Sequence, residues 1–273
     1  MNPLAEITEI LAQARNVLVI TGAGVSTDSG IGDYRDDQGL WKRGEPITHQ
    51  NFVQELTWRQ RYWARSQLGF PEFYNAQPNQ SHKLLAELER HGKTHTLVTQ
   101  NVDGLHQKAG QKVVIDLHGR LDEVVCLSCG ERRLRQDVQT WLEATNTEVG
   151  DDFYSIAPDG DADIVRQDFS NVRVPQCSCG GLLKPNVVFF GDNVPRQIVD
   201  EAYRWVDEAD AVLVIGSSLM VYSSFRFVRR GHQQGIPIVA INRGKTRADE
   251  LFTAKIEGDC AHWLDRLSSK LAY

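Results

Sequence analysis

Residues 16–30, NVLVITGAGVSTDSG, decide the fold class of this chain. The stretch 16–21, with its uninterrupted apolar run 17–20, is typical of a strand that is buried on both faces of a parallel sheet. A glycine-rich turn directly after a first strand lets backbone N–H groups approach a pyrophosphate closely. The turn lacks the standard GxGxxG pattern, because position 27 is Thr, and a tight turn without a ligand is the alternative interpretation.

Similar apolar runs recur along the chain and alternate with stretches of helical spacing. The predicted strands are 16–21, 95–100, 113–116, 211–216 and 236–242, and the predicted helices are 4–14, 80–91, 196–208, 224–234 and 260–271. This alternation predicts an α/β fold with a doubly wound, parallel, Rossmann-like sheet. Ligands of such sheets bind at the carboxyl ends of the strands.

Composition excludes several classes of protein. The 273 residues carry 30 Lys and Arg against 36 Asp and Glu, a formal net charge of −6. This balance argues against bulk attraction to DNA or to an anionic membrane. The apolar runs are far shorter than the roughly 20 residues of a membrane span, and the first residues lack the features of a signal peptide. We therefore expect a soluble, cytoplasmic protein with no membrane partner and no direct nucleic-acid partner.

Four of the five cysteines form two close pairs, Cys126 with Cys129 and Cys177 with Cys179. A secreted disulfide scaffold would be denser in cysteine, and an odd count would leave one thiol over. Four thiolates on two glycine-containing turns can close a tetrahedron around Zn²⁺ and leave no open coordination position. The pairs therefore predict a structural zinc site, with four unrelated buried thiols as the alternative.

Two stretches interrupt the alternation of strands and helices. Residues 41–78 hold three Trp and several Arg, and they are predicted to form a helical segment over the edge of the sheet. Residues 126–183, bracketed by the cysteine pairs, are predicted to form a small inserted zinc-binding module. The predicted Rossmann-like domain is therefore discontinuous and consists of residues 1–40, 79–125 and 184–273.

Polar side chains follow two of the predicted strands. The run 100–103, Gln-Asn-Val-Asp, places an amide and a carboxylate where they can bind a carboxamide, although an Asx turn also explains it. His118, in Leu-His-Gly after strand 113–116, is either a packed residue or a general base at the mouth of the cleft.

Taken together, these motifs resemble the sirtuin family, and its class II branch in particular. The resemblance spans nearly the whole chain and is carried, in order, by the cysteine pairs and by residues 22–35, 99–106, 117–119, 184–192, 216–219 and 241–244. It implies an NAD-dependent protein lysine deacylase, which transfers the acyl group of an acylated lysine to ADP-ribose and releases nicotinamide. NAD is then a co-substrate, and acylated lysine side chains of proteins are the partners.

The resemblance also implies roles for individual residues. His118 would deprotonate a ribose hydroxyl, and Asn101 would share the catalytic role. Val188, Phe190 and Asn193 would pair with the substrate peptide as an added strand, although residues 187–190 also read as an ordinary buried strand. The implied NAD contacts are Gly22, Ala23, Gly24, Ser26, Thr27, Asp33, Tyr34, Arg35, Gln100, Asn101, Val102, Asp103, Gly216, Ser217, Ser218, Asn242, Arg243, Gly244 and Cys260.

Acyl preference is suggested by Tyr62-Trp-Ala-Arg65. This motif resembles the Tyr-x-x-Arg pattern that some class II sirtuins use for succinyl or glutaryl groups. At this spacing the two side chains share one helix face, where the guanidinium can bind a carboxylate. The alternative is that Arg59, Arg61 and Arg65 form a solvated face.

Three other functions use the same residues. A mono-ADP-ribosyltransferase would use the same NAD site and a protein acceptor. A non-catalytic sensor of NAD or ADP-ribose would need no base, so His118 and Asn101 disfavour it. An NAD oxidoreductase is disfavoured by the missing GxGxxG pattern.

Overall fold

A computed structural model describes residues 2–34, 36, 38, 40, 42, 47–150, 153–156, 160–164 and 168–271. The strands are β1 (Val17–Thr21), β2 (Thr96–Thr99), β3 (Val114–Asp116), β4 (Gly119–Cys126), β5 (Arg132–Leu134), β6 (Phe153–Ile156), β7 (Ala162–Ile164), β8 (Leu183–Val187), β9 (Ala211–Ile215), β10 (Ile238–Asn242) and β11 (Ala254–Glu257). The α-helices are α1 (Pro3–Gln13), α2 (His49–Gln54), α3 (Leu56–Asn75), α4 (Gln80–Arg90), α5 (Leu105–Lys108), α6 (Arg135–Thr145), α7 (Arg196–Asp207), α8 (Tyr222–Gln233) and α9 (Cys260–Leu271). None of these helices is long and apolar enough to cross a bilayer.

The large sheet confirms the predicted fold class. Its order is β11-β10-β9-β1-β2-β3, and the neighbouring strands are parallel. This order, which reverses beside β1, is that of a doubly wound Rossmann-like sheet. The sequence predicted five of the six strands and missed β11. That strand lies at the edge and alternates buried with more exposed residues, so it lacks the continuous apolar run of the others.

Helices cover both faces of the large sheet. Leucines of α1, α4 and α9 pack against one face. Val199 and Val206 of α7 and Phe227 of α8 pack against the other. The strands between them are buried on both faces, which explains their continuous apolar runs.

A small antiparallel sheet of order β5-β4-β8 carries the cysteines. It extends beyond both limits of the predicted module 126–183, since β4 begins at Gly119 and β8 ends at Val187. Most of the described part of the segment 41–78 is helical, since it contains α2 and α3. Its helices do not simply lie over the edge of the large sheet, because Tyr62 and Trp63 of α3 pack in the core of the small one.

Candidate active site

The carboxyl ends of the parallel strands open into a cleft of about 530 Å³. This volume lies in the usual range for a small-molecule or cofactor site. The cleft brings together His118 and most of the predicted NAD contacts: Gly22, Ala23, Gly24, Ser26, Thr27, Asp33, Tyr34, Gln100, Asn101, Val102, Asp103, Gly216, Ser217, Ser218, Asn242, Arg243 and Cys260.

Two of the predicted NAD contacts are not placed there. Arg35 lies outside the described residues. Gly244 is not among the described residues that line the cleft; its N–H donates to Glu257 Oε1 (3.2 Å) and its carbonyl accepts from Lys255 Nζ (2.8 Å). These two hydrogen bonds attach the loop after β10, in which Gly244 lies, to β11.

Close approach of two turns shapes the floor of the cleft. The N–H of Gly24, after β1, donates to the carbonyl oxygen of Gly216, after β9, at 2.9 Å. A Cβ atom on Gly24 would lie 2.9 Å from that same oxygen, a distance that real Cβ atoms essentially never show. The glycine is therefore required by packing between the two turns, and this explains part of the glycine-rich pattern.

Gln100 connects three elements at the end of β2. Its Nε2 donates to Ser217 Oγ (2.7 Å), and its Oε1 accepts from Ser224 Oγ of α8 (2.8 Å). Its carbonyl oxygen lies 3.0 Å from His118 Nδ1. Gln100 thus orients both the loop after β9 and the imidazole.

Asn101, Asp103 and Ser26 form a second polar cluster. Ser26 Oγ donates to Asp103 Oδ2 (2.7 Å) and accepts from Asn101 Nδ2 (3.0 Å). The other carboxylate oxygen accepts from the Leu105 N–H (2.9 Å), so Asp103, the last residue of the run 100–103, begins an Asx turn. Burial raises the pKa of Asp103. Asp103 can therefore form the turn and belong to the polar cluster of the cleft at once, because the Leu105 N–H and Ser26 Oγ bind different oxygens of its carboxylate.

His118 is held at both ring nitrogens. Nδ1 bonds the Gln100 carbonyl, which only accepts, so the proton resides on Nδ1 and Nε2 accepts from Ser223 Oγ (2.8 Å). The pKa of His118 is lowered to about 4, mainly by burial. The hydrogen bond to the Gln100 carbonyl opposes this shift, and the positive charge of Arg226 adds to it. At neutral pH the imidazole is uncharged, and Nε2 can take a proton.

Two buried histidines beneath the cleft were missed by the sequence reasoning. His82 Nε2 lies 3.4 Å from Ser26 Oγ, and His106 Nε2 lies 2.9 Å from Thr21 Oγ1. The two rings lie against each other with centroids 4.8 Å apart. The one local signal is the capping box of α4, in which Asn79 is the N-cap and His82 is the third helical residue.

The four predicted metal ligands converge. The sulfur atoms of Cys126, Cys129, Cys177 and Cys179 all lie within 4.8 Å of one another. Cys126 Sγ is 3.6 Å from Cys179 Sγ, and Cys129 Sγ is 3.7 Å from Cys177 Sγ. Sulfur atoms about 2.3 Å from a tetrahedral zinc ion would be about 3.8 Å apart, so the cluster fits zinc. The Cys-x-Cys pair reaches the cluster because Gly180, with φ +82°, makes a tight turn.

The predicted substrate residues divide into two groups. Tyr62, Val188, Phe190 and Asn193 line the cleft. The Val188 N–H donates to the His118 carbonyl (2.8 Å), which connects the segment after β8 to the imidazole. Arg65 is not among the described lining residues, and its Nε donates to the Ala162 carbonyl of β7 (2.8 Å).

A Rossmann-like sheet with a polar cleft at its strand ends and a separate four-cysteine cluster defines a class of nucleotide-binding α/β proteins. The chain belongs to the Sir2 family, whose model matches residues 22–223. An "NAD-dependent protein deacetylase" of Xanthomonas campestris pv. campestris strain 8004 is 54% identical over 259 residues, which cover 94% of this chain and 88% of that protein. The bovine mitochondrial "NAD-dependent protein lipoamidase sirtuin-4" is 45% identical over 263 residues, which cover 95% of this chain and 84% of that protein.

Solved structures show the same fold. A structure described as "Sir2-p53 peptide-NAD+" has a TM-score of 0.81 at 30% identity, with 98% of each chain covered. One described as "The Structural basis for Sirtuin Substrate affinity" has a TM-score of 0.78 at 30% identity, with 98% of this chain and 97% of that chain covered. The family and the fold are therefore established by two independent comparisons.

Proposed function

We propose that this chain is an NAD-dependent protein lysine deacylase, which moves the acyl group of an acyl-lysine to ADP-ribose and releases nicotinamide. The observation that carries the proposal is the uncharged, doubly oriented imidazole of His118, which lies in the cleft together with the cluster of Ser26, Asn101 and Asp103. The relatives named as NAD-dependent protein deacetylases support the same chemistry. A cytoplasmic location, predicted from the sequence, is part of this proposal.

The chain's own residues position two substrates. When bound, NAD supplies the ribosyl carbon whose bond to nicotinamide breaks. Asn101 and Asp103 orient the ribose and the carboxamide, and His118 Nε2 takes a proton from a ribose hydroxyl. The cysteine cluster holds zinc as a structural ion, because four thiolates leave no position for a substrate.

The peptide side of the cleft is formed by the segment after β8. Val188, Phe190 and Asn193 line it, and main-chain hydrogen bonds to an added peptide strand would give affinity without reading the sequence. This mode of binding suits an enzyme that acts on lysines in different surroundings.

The decisive experiment measures nicotinamide release with NAD and a panel of acyl-lysine peptides, with mass spectrometry of the products. We expect O-acyl-ADP-ribose and free lysine, and a loss of about 10²- to 10⁴-fold in His118→Ala. ADP-ribosylated protein without deacylation would instead establish a transferase. Acyl removal that ran without NAD, or that persisted in His118→Ala, would refute the proposal.

We further propose a preference for acidic acyl groups such as succinyl or glutaryl. Tyr62 lines the cleft, and Arg65 lies one turn further along α3. Burial and the positive charge of Arg65 both lower the pKa of Arg61, so two cations lie close together on α3. A guanidinium at this position could bind the end of a carboxylate-bearing acyl chain through two parallel hydrogen bonds.

Arg65→Met tests this preference. We expect a selective loss of turnover with succinyl- and glutaryl-lysine relative to acetyl-lysine. Arg59→Met is the matched control on the same helix, since Arg59 donates to the carbonyls of Phe52 and Val53 (both 2.9 Å). Equal loss on all acyl groups would contradict the preference and make Arg65 a structural residue that holds Ala162. The lipoamidase name of the bovine relative is a reason to include lipoyl-lysine in the panel.

A further inference from the structure

Three guanidinium groups surround one exposed aromatic ring at the edge of the cleft. The Cζ atoms of Arg226, Arg229 and Arg247 lie 5.4, 5.9 and 5.6 Å from the centroid of Tyr222, which is 44% exposed. Tyr222 and Arg226 line the catalytic cleft itself. We call these three arginines, with Tyr222 at their centre, the arginine rim.

The arginine rim has no internal counter-charge. Across the described ranges, its three guanidinium groups form no ion pair with a carboxylate. Arginines beside it do: Arg230 Nε lies 2.9 Å from Asp207, and Arg243 lies 3.6 Å from Asp259. Helix α8 itself contains no Asp or Glu. An uncompensated cluster of three positive charges is unexpected in a chain whose net charge is −6, and it points to an anionic ligand.

Arg226 supplies a second, independent sign of a missing partner. Its Nε is buried and has no hydrogen-bond partner among the described residues. A buried donor without an acceptor is costly in free energy, so an acceptor on a ligand would stabilise Arg226 here. The same side chain is close enough to His118 to lower the pKa of the imidazole, so the rim begins beside the reacting groups.

The occupant follows from the position of the rim. Val188, Phe190 and Asn193, which we propose as the peptide-binding segment, line the same cleft as Tyr222 and Arg226. The phosphates of the dinucleotide have a separate predicted site in the glycine-rich turn after β1. Residues that flank the acyl-lysine would therefore pass the rim as the lysine enters.

We propose that the arginine rim binds Asp or Glu side chains that flank the acyl-lysine in the protein substrate, and so selects acidic target sites. This inference rests on the proposed deacylase function and extends it to the substrate sequence. Guanidinium groups bind carboxylates through two parallel hydrogen bonds. The contacts of the guanidinium groups with the Tyr222 ring restrict these side chains in advance, so less side-chain freedom is lost on binding.

The test compares two acyl-lysine peptides that differ only in having Glu or Gln at the flanking positions. Nicotinamide release gives kcat and KM, and fluorescence anisotropy of labelled peptide gives Kd. We expect the ratio of kcat/KM for the acidic over the neutral peptide to fall about 2- to 5-fold in Arg229→Gln and in Arg247→Gln, through KM, and further in the double variant. High salt should lower the same ratio in the wild type.

Arg266→Gln is the matched control, because Arg266 lies over the Trp263 ring (5.1 Å) on α9 and is not among the described residues that line the cleft. It should leave the ratio unchanged. Arg247→Glu, which leaves two positive charges and adds a negative one, should lower the ratio further than Arg247→Gln does. Equal changes for both peptides in the rim variants would overturn the proposal.

Anisotropy separates two further outcomes. If no peptide releases nicotinamide, the deacylase function fails, and the rim is then judged by Kd alone. If a single-stranded oligonucleotide loses affinity in the rim variants while the acidic peptide does not, the rim is a nucleic-acid surface and the proposal is wrong.

Discussion

The large six-stranded sheet and the small three-stranded sheet of this protein are stabilised in different ways. In the large sheet, every residue of β1, β9 and β10 is buried between two layers of helices. In the small sheet, β5 has no buried residue and β4 buries only every second or third one. Stabilisation is roughly proportional to the apolar area that folding buries, so the core of the large sheet is sufficient to stabilise it. The small sheet has a smaller core, completed by aromatic residues of α2 and α3, and depends in addition on a link between its turns.

The cysteine cluster provides that link. It joins the turn between β4 and β5 to the segment before β8, far away along the chain. A metal ion there offsets the small core, because metal binding to a site that exists only in the folded state stabilises that state. The comparison therefore predicts that the two sheets respond differently to the same perturbations.

The largest expected effect is that of zinc removal. Chelation, or Cys126→Ser, should unfold the module that we propose as residues 126–183 while the large sheet remains, since structural zinc contributes about 10 kcal/mol or more in small domains. Hydrogen exchange would show loss of amide protection in β4, β5 and β8 and retention in β1 and β9. Cys260→Ser, outside the cluster, should change neither region. Equal loss of protection in both sheets would refute the difference between them.

The second-largest expected effect is that of a cavity created by substitution in the core of the large sheet. Leu213 of β9 is fully buried, and Leu213→Ala should lower the free energy of unfolding by about 2–5 kcal/mol, measured by urea titration. Leu134→Ala is the matched control in the small sheet, because Leu134 is 63% exposed. It should change stability by no more than about 0.5 kcal/mol. Similar losses for both variants would contradict the assignment of stability to the large core.

Acid should weaken the domain of the large sheet through its buried histidines. Burial lowers the pKa of His82 and His118 to about 4, from the ordinary value of 6.5. Between these two values the unfolded chain binds more protons, so stability rises with pH and is lost as the pH falls. From pH 7 to pH 5 we expect a loss of about 2 kcal/mol per histidine. His82→Gln should flatten the profile measured by urea titration, and the exposed His232→Gln should not; identical profiles would count against burial as the cause.

The smallest effect concerns the surface of the same domain. Arg230 and Asp207 form a two-bond ion pair between α8 and α7, with distances of 2.9 and 3.0 Å. Because both groups are solvent-exposed, Arg230→Gln should lower the free energy of unfolding only slightly, and high salt should reduce the difference. A loss as large as that of Leu213→Ala would show that surface charge, and not the core, holds these helices.

Some elements could be predicted because their signals are local. The buried strands of the large sheet show continuous apolar runs, and α1, α4, α7, α8 and α9 show helical spacing, so these elements were predicted at nearly the right limits, whereas α6 was not predicted. Strand β11 was missed because an edge strand exposes one face and breaks that pattern. The packing of α3 was misjudged because a Trp- and Arg-rich helix does not reveal which of two sheets its aromatic face contacts.

The residues of the candidate active site also divide into those that could be predicted from the sequence and those that could not. Glycines, cysteine pairs and polar residues at strand ends could be read from the sequence, because each motif is short. Three other residues of the site could not be read from the sequence: Ser223, His82 and Arg226. Their meaning arises only when α8 and α4 are brought against the strand ends, where Ser223 meets His118 and His82 approaches Ser26.

The sequence by itself determined the α/β class, the edge of the sheet at which the cleft opens and the four cysteines that cluster, because hydrophobic period, turn chemistry and cysteine spacing are local properties. Only the tertiary structure decided the protonation of His118, the separate contact of Arg65 with Ala162 and the grouping of the three arginines around Tyr222. These depend on burial and on distances between residues that are far apart along the chain, and neither quantity exists until the chain has folded.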